Sequence, residues 1–254
     1  MGILNLTPDS FSDGGRFMDP GSALTQARIL VKAGARMLDL GAESTRPGAA
    51  TVDAATEWGR LEPVLSALAA ALPGIPLSLD TRHAAVAVRG LAAGAVVIND
   101  VTGFSDPAML NLARTAPCGL IAMRSRRKGE GFQMPPYDDP TPKDAESAIA
   151  ELRAVRDRLR AAGIPDDRVL LDPGFGFGTT FREDLALWKA LPRLPQSLAW
   201  PLERFCIGIS RKRFLAARAG TPALPPDHRD GLAAQAHAEA LRWGYRVFRT
   251  HAIG

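Results

Sequence analysis

Short apolar runs that each end in a polar residue recur along this chain, and they constrain its fold more than any other feature. A short apolar run is typical of a buried strand, and a polar group at its end must face something other than the core. In a barrel of parallel strands such ends collect at one face, where active sites are built. The pattern therefore predicts a chemical site. Its strand-end residues are Asn5, Asp39, Asp80, Asn99, Asp172, Lys212, Arg249 and His251.

Strand-like and helix-like segments alternate through all 254 residues. Helical spacing is found at 20–34, 54–72, 83–93, 106–115, 142–162, 182–192 and 228–243, with a short helix from 212. The eight apolar runs between them favour a parallel sheet with covered faces. We predict an α/β fold, a (β/α)₈ TIM barrel forming a single domain over 1–254, with the final outer helix missing. No GxGxxG turn follows the first strand, which disfavours a dinucleotide-binding fold.

The composition excludes several classes of protein. Hydrophobic residues make up 46%, charged residues 23%, and the net charge of +4 is too small and too dispersed to indicate nucleic-acid binding. No signal peptide and no apolar stretch of about 18 residues is present, so we expect no membrane role and a cytoplasmic location. Cys118 and Cys206 lie in apolar runs and are expected to be buried free thiols.

Three strand-to-helix connections are unusually long and polar. They cover 5–19, 42–53 and 124–141. Long connections on a barrel commonly carry function. The third contains a basic cluster of Arg124, Arg126, Arg127 and Lys128, which we interpret as a solvated loop.

Two groups of strand-end residues indicate different ligand chemistry. Asp80, Asn99, Asp172 and Lys212 offer acceptors and donors that suit one flat, nitrogen-rich ring. The run DPGFGFG at 172–178 adds glycines that let backbone approach a ligand, and Phe175 or Phe177 to cover a ring face.

The second group suits an anion. The ISRK run at 209–212 opens a helix and carries two cations, while Arg249 and His251 share a face at the end of the last strand. The chain has no zinc-type Cys/His spacing, no Walker loop and no GxSxG nucleophile. These groups bind and position; none is an obvious nucleophile, so we expect catalysis by positioning and charge stabilisation.

The motifs together resemble those of the dihydropteroate synthase family, in the same order and over nearly the whole chain. They are GILNLTPDSFSDGG (2–15), LDLGAESTRPG (38–48), SLDT (78–81), INDVTG (98–103), LLDPGFGFG (170–178), GISRK (208–212) and RTH (249–251). The resemblance implies a (β/α)₈ barrel that joins 6-hydroxymethyl-7,8-dihydropterin diphosphate to p-aminobenzoate. The products would be 7,8-dihydropteroate and diphosphate, in folate synthesis. It also implies a transferase that uses Mg²⁺, is a sulfonamide target and forms a homodimer.

The same resemblance assigns roles to individual residues. The pterin pocket would consist of Asp80, Asn99, Met123, Asp172, Phe177 and Lys212. The diphosphate would bind to Arg46, Arg249 and His251, with Asn5 at the metal. Around p-aminobenzoate it places Phe11, Thr45, Pro47 and Arg213. The catalytic groups would be Asp13, Asp80, Lys212 and Arg249, with Asp13 facing the developing cation. Asp39 resembles an acidic residue below the pterin site, with no defined role.

Some residues depart from the family pattern, and two other functions stay open. Arg213 stands where a serine contacts the p-aminobenzoate carboxylate, and an arginine can also bind a carboxylate. Further departures are Ala42, Ala122, Thr179 and Ala252. One alternative is a pterin-binding methyltransferase-like barrel, which would not need the first loop, Arg249 or His251. The other is a catalytically impaired homologue that binds pterin.

Overall fold

Parallel strands form most of the β-structure. The computed structural model describes residues 1–7, 19–44, 51–128, 131–132 and 144–253. Its strands are β1 (Gly2–Asn5), β2 (Leu38–Gly41), β3 (Leu77–Asp80), β4 (Val97–Asp100), β5 (Gly119–Met123), β6 (Arg127–Lys128), β7 (Gly131–Phe132), β8 (Val169–Asp172), β9 (Cys206–Ile207) and β10 (Val247–Phe248). Six form one parallel sheet in the order β1-β2-β3-β4-β5-β8, and β9 pairs in parallel with β10.

Two isolated parallel bridges connect the β9–β10 pair to the larger sheet. Leu171 of β8 bridges Phe205, and Gly2 of β1 bridges Thr250. The Ile3 backbone N–H also donates to the Thr250 carbonyl at 2.9 Å. The described parallel strands therefore follow one another around a ring, in the order that the alternating sequence pattern predicts. The closure consists of these bridges rather than of full ladders.

Helices follow the strands as the apolar spacing predicts. They are α1 (Pro20–Lys32), α2 (Ala54–Ala71), α3 (Ala84–Ala92), α4 (Pro107–Thr115), α5 (Glu146–Ala161), α6 (Phe181–Ala190), α7 (Leu194–Leu198), α8 (Arg213–Arg218) and α9 (Asp230–Arg242). Side-chain caps fix several N-termini; Asp53, for example, accepts from the Thr56 backbone N–H at 2.8 Å. Residues 249–253 after β10 contain no helix. Within the described ranges, no helix has the length and apolar composition needed to cross a bilayer.

The structure differs from the sequence prediction at two places. Strands β6 and β7 form an antiparallel pair inside the 124–141 segment, which the sequence predicts as loop. Helix α6 ends at Ala190 and is followed by a 3₁₀ turn and then by α7, where the sequence predicts one helix at 182–192. Pro192 and Pro195 explain this break, because proline removes a backbone donor from a helix interior.

Alternation along the strands separates a helix-facing side from the inside of the ring. Leu4, Leu40 and Leu79 are buried in one cluster with apolar residues of α1 and α2. A small separate cluster contains buried Val97, Ile121 and Cys206, packed against Met1, Met37, Leu170 and Val247. Both cysteines are buried free thiols, as predicted. The interior is thus apolar at the strand starts, which leaves the strand ends for polar side chains.

Candidate active site

Strand register brings four of the predicted ring-binding residues to neighbouring strand ends. Asp80 on β3 is in register with Asn99 on β4. Met123 at the end of β5 is in register with Asp172 at the end of β8. Asn5 ends β1 at the same edge, opposite Gly41 of β2. Because the ladders are parallel, all these residues lie at one end of the sheet.

Asp172 and Lys212 define one side of this site. The Gly174 backbone N–H donates to Asp172 Oδ1 at 2.8 Å. Lys212 occupies the N-cap position of α8, and its Nζ lies 3.9 Å from the centroid of the Phe177 ring. Phe175, the other candidate ring cover, is fully buried and stacks on Phe214 with 5.4 Å between centroids. Phe177 is the half-buried one of the two and faces Lys212.

Burial perturbs the charges of this side. It raises the pKa of Asp172 to about 6 and lowers the pKa of Lys212 to about 8, the latter with help from the Arg249 charge. Both groups are charged at neutral pH, but their charged forms are disfavoured relative to water. A ligand that offers hydrogen bonds to both would relieve that cost, which is typical of a binding site.

Arg124 holds the turn that follows Asp172, a role that the sequence interpretation missed. Its side chain is 1% exposed, and it donates to the Pro173 carbonyl at 2.8 Å and to the Gly174 carbonyl at 2.6 Å. Gly174 has a φ of +70°, and a Cβ there would lie 1.8 Å from the Arg124 carbonyl oxygen. The Gly-rich run therefore allows two backbone segments to approach closely, in addition to its predicted role of letting a ligand approach.

Arg126, a second member of the basic cluster, is also paired with other parts of the fold. It donates to Glu151 at 2.7 Å and to Glu183 at 2.8 Å, which ties the segment after β5 to α5 and α6. The prediction of a solvated loop is wrong for Arg124 and Arg126, because distant carboxylates and carbonyls satisfy them. The side chains of Arg127 and Lys128 lie outside the described part of the chain.

Arg249 lies between two carboxylates of the site. Its Nε donates to Asp39 Oδ2 and its Nη2 to Asp80 Oδ2, both at 2.6 Å. Asp39 also accepts from Ser78 Oγ at 2.6 Å and from Asn99 Nδ2 at 3.1 Å. Burial raises the pKa of Asp80 to about 7 in spite of the Arg249 charge. Asp39, whose role the sequence left undefined, is therefore the centre of this network.

His251 lies beside Ser210, a residue of the GISRK motif to which the sequence assigned no role. The His251 backbone N–H donates to Ser210 Oγ at 3.1 Å, and the ring Nδ1 lies 3.0 Å from the same oxygen. Burial, followed by the charges of Arg211, Arg249 and Lys212, lowers the pKa of His251 to about 3. The imidazole is neutral at pH 7 and has three cationic side chains near it, which suits an incoming anion.

The ISRK run contributes less charge than its sequence indicates. Arg211 donates through Nε and Nη2 to both oxygens of Asp230 at the start of α9, each at 2.8 Å. Helix α8, which begins after Lys212, has only six residues. Of the two cations in the run, Lys212 therefore remains the one facing the pocket. Arg213, the first residue of α8, is exposed.

Several predicted site residues lie outside the described ranges. They are Phe11, Asp13, Thr45, Arg46 and Pro47. Among the described residues, the structure brings together Asp80, Asn99, Met123, Asp172, Phe177, Lys212, Arg249 and His251, with Asn5 at the same sheet edge.

Comparison with known proteins assigns this arrangement to a family. A family model described as "Pterin binding enzyme" matches residues 1–251. The dihydropteroate synthase of Neisseria meningitidis serogroup C is 40% identical over 258 residues, covering 100% of this chain and 87% of the relative.

Solved structures agree with the sequence match. A dihydropteroate synthase from Clostridium difficile, determined in the presence of pteroic acid, has a TM-score of 0.84 and 32% identity, covering 99% of this chain and 90% of that one. The Xanthomonas albilineans enzyme with 4-aminobenzoic acid has a TM-score of 0.83 and 35% identity, covering 99% and 86%. The chain therefore belongs to the dihydropteroate synthase family of pterin-binding enzymes.

Proposed function

We propose that this protein joins 6-hydroxymethyl-7,8-dihydropterin diphosphate to p-aminobenzoate, giving 7,8-dihydropteroate and diphosphate. The observation that carries the proposal is one polar site at the strand ends, where Asp80, Asn99, Asp172 and Lys212 adjoin Arg249 and His251. The first four residues supply hydrogen bonds for a heterocycle. Beside them, the cationic Arg249 and the neutral His251 supply donors for an anion. Solved relatives that were crystallised with pteroic acid or 4-aminobenzoic acid support the substrate class.

The pterin ring is assigned to the side formed by Asp172 and Lys212. Carboxylates of Asp80 and Asp172 accept hydrogen bonds from ring N–H and amino groups, while Asn99 both donates and accepts. Lys212 donates to the ring carbonyl or a ring nitrogen. Met123 and Phe177 cover the ring faces. The buried setting makes these charged hydrogen bonds stronger than they would be in water.

The diphosphate is assigned to Arg249 and His251, with Arg46 as a further cation carried over from the family motif. Mg²⁺ would take most of its ligands from the diphosphate. Asn5 could supply one more, because an amide oxygen is a hard ligand. Among the described residues no group of three or more His, Cys, Asp or Glu could hold a metal, which agrees with an ion bound through substrate phosphates. When bound, Mg²⁺ would neutralise charge on the leaving diphosphate.

The reaction then needs little covalent chemistry from the protein. The bond between the pterin methylene carbon and the diphosphate oxygen breaks, and the aniline nitrogen of p-aminobenzoate forms a C–N bond and loses a proton. Asp13 is assigned to stabilise the cationic methylene, and Phe11, Thr45, Pro47 and Arg213 to hold p-aminobenzoate. Arg249 and Lys212 hold the leaving group and the ring in position, so that binding geometry supplies the rate enhancement. We also propose that the protein is cytoplasmic and forms a homodimer.

A product assay tests this function directly. The purified protein is incubated with both substrates and Mg²⁺, and dihydropteroate and diphosphate are measured by mass spectrometry and a coupled assay. We expect the two products in equal amounts. Binding of the pterin substrate without product would instead indicate an impaired homologue, and product formation with methyltetrahydrofolate as donor would indicate the methyltransferase-like alternative.

Diphosphate binding is expected to change the protonation of His251. Its pKa of about 3 reflects burial and neighbouring cations, so it is neutral before binding. A bound diphosphate neutralises those cations and raises the pKa, so that the imidazole takes up a proton as the complex forms. Calorimetry in buffers of different ionisation heats measures this uptake, which should increase as the pH falls from 8 to 6.

The control removes the contribution of the ligand's own titration. His251→Gln should lose the uptake, whereas His228→Gln, at an exposed histidine, should keep it. Equal proton uptake in wild type and His251→Gln would show that His251 does not face the diphosphate.

A further inference from the structure

Arg249 makes two ion pairs that differ in their surroundings. Nε donates to Asp39 Oδ2 and Nη2 to Asp80 Oδ2, both at 2.6 Å. The Asp39 side chain is 0% exposed, whereas the Asp80 side chain is 22% exposed. Both N–H groups point from the same edge of the planar guanidinium, so Nε is held by a fully enclosed carboxylate and Nη2 by one that solvent and ligands can reach.

Asp39 is fixed by more than this one contact. Ser78 Oγ donates to its Oδ1 at 2.6 Å, and Asn99 Nδ2 donates to its Oδ2 at 3.1 Å. A carboxylate buried at this depth with three donors is costly to disturb, because any donor that leaves exposes an unpaired charge to a low-dielectric interior. The Nε contact is thus the stable one of the two.

Asp80 has a less enclosed set of contacts. In the described part of the chain, Arg249 is the hydrogen-bond partner of its side chain. Our proposed function assigns this same carboxylate to the N–H groups of the pterin ring. A ring that binds to both oxygens of this carboxylate competes with Nη2 for Oδ2, and this competition favours the release of Nη2 from Asp80.

We propose that Asp39 is the positioning residue of Arg249: it holds Nε in place while Nη2 passes from Asp80 to the diphosphate as the pterin ring binds. This inference rests on the proposed function and adds a coupling to it. The ring takes the acceptor that Arg249 used, and Arg249 gains the diphosphate oxygens as new acceptors. Pterin and diphosphate should therefore assist each other's binding, by the same factor in either order.

Calorimetry with the two halves of the substrate measures this coupling. Inorganic diphosphate with Mg²⁺ is titrated into the protein with and without saturating 6-hydroxymethylpterin. For wild type we expect the pterin to tighten diphosphate binding by roughly fivefold or more. Ser78→Ala removes a donor to Asp39 but leaves the Nε contact, so it should retain this factor.

Asp39→Asn and Arg249→Lys should each remove the coupling. Asparagine has one acceptor oxygen, so it cannot accept from Ser78, Asn99 and Arg249 together as the two oxygens of Asp39 do. Lysine has a single nitrogen, so it cannot stay on Asp39 while a second nitrogen reaches the diphosphate. If Asp39 acts through Arg249, the double variant should bind diphosphate no more weakly than the weaker single variant. Melting temperatures identify any variant that fails to fold, and Arg249→Lys alone then tests the loss of coupling.

The outcomes separate this inference from the proposed function. Wild type that binds neither ligand would contradict both. Wild type that binds both ligands independently would overturn the inference and leave the proposed function intact. Additive losses in the double variant, or coupling retained in Arg249→Lys, would likewise show that Asp39 does not act through Arg249.

Discussion

Asp172→Asn should weaken pterin binding by at least about 100-fold, because two charge-assisted hydrogen bonds contribute roughly 3 kcal/mol or more. The asparagine keeps the shape of the side chain, and its oxygen can still accept from the Gly174 backbone N–H. It loses one acceptor oxygen and the charge that opposes Lys212. Calorimetry with 6-hydroxymethylpterin measures the loss, and binding within a few-fold of wild type would contradict the assigned pocket.

The same substitution should raise the free energy of unfolding. Burial raises the pKa of Asp172 from 3.8 to about 6. Because the folded-state pKa is the higher one, stability falls as pH rises from 3.8 through about 6, and the cost above that range is at most about 3 kcal/mol. That cost already includes the attraction of Lys212, and the weaker bond of an amide to the Gly174 N–H offsets part of the gain, so we expect a net gain of about 1 kcal/mol at pH 8.

Urea denaturation checks this stability effect. The gain should shrink as the pH falls from 8 toward 5, where the wild-type carboxyl takes up a proton. Asp227→Asn, at an exposed side chain, serves as control and should change neither binding nor stability. A variant that loses both stability and pterin binding would indicate a structural role for Asp172 instead.

Gly174→Ala should abolish pterin binding and destabilise the protein by roughly 3 kcal/mol or more. The new Cβ would lie 1.8 Å from the Arg124 carbonyl oxygen and 3.3 Å from Met123 Cγ, and the residue has a φ of +70°. The nearest atom belongs to the backbone and cannot rotate away. The turn would have to move, and the two Arg124 bonds to the Pro173 and Gly174 carbonyls would be lost.

Gly163→Ala is the matched control for this effect. Gly163 has a similar φ of +74°, but a Cβ there would meet no atom within 4 Å. It should lose only about 1 kcal/mol and keep pterin binding. Melting temperatures and pterin titrations of both variants test the comparison. Equal effects at the two glycines would show that backbone strain alone, without the contact to Arg124, explains the loss.

The strand-end residues were predictable because strand periodicity is local. An apolar run and its terminal Asp80, Asn99 or Asp172 can be read within about five residues, and parallel topology then places those ends together. Their partners were not predictable in this way. Arg249 and Asp39 are 210 positions apart, and their contact depends on how the ring of strands closes.

The basic cluster after β5 shows the same limit. Arg126 reaches Glu183, 57 positions away, so its local sequence resembles a solvated charge run. Arg124 is buried by backbone carbonyls of the turn after β8, and carbonyl positions have no signature in a residue pattern. The motif resemblance proposed the ligand-binding residues, whereas the residues that support them could be identified only from the three-dimensional contacts.

The position of a bound pterin substrate tests the proposed site most directly. Crystals of the protein with 6-hydroxymethyl-7,8-dihydropterin diphosphate and Mg²⁺ would show it by diffraction. We expect the ring between Asp80, Asn99, Asp172 and Lys212, with the diphosphate at Arg249 and His251. A ring bound away from Asp172, or a diphosphate that contacts neither Arg249 nor His251, would contradict it.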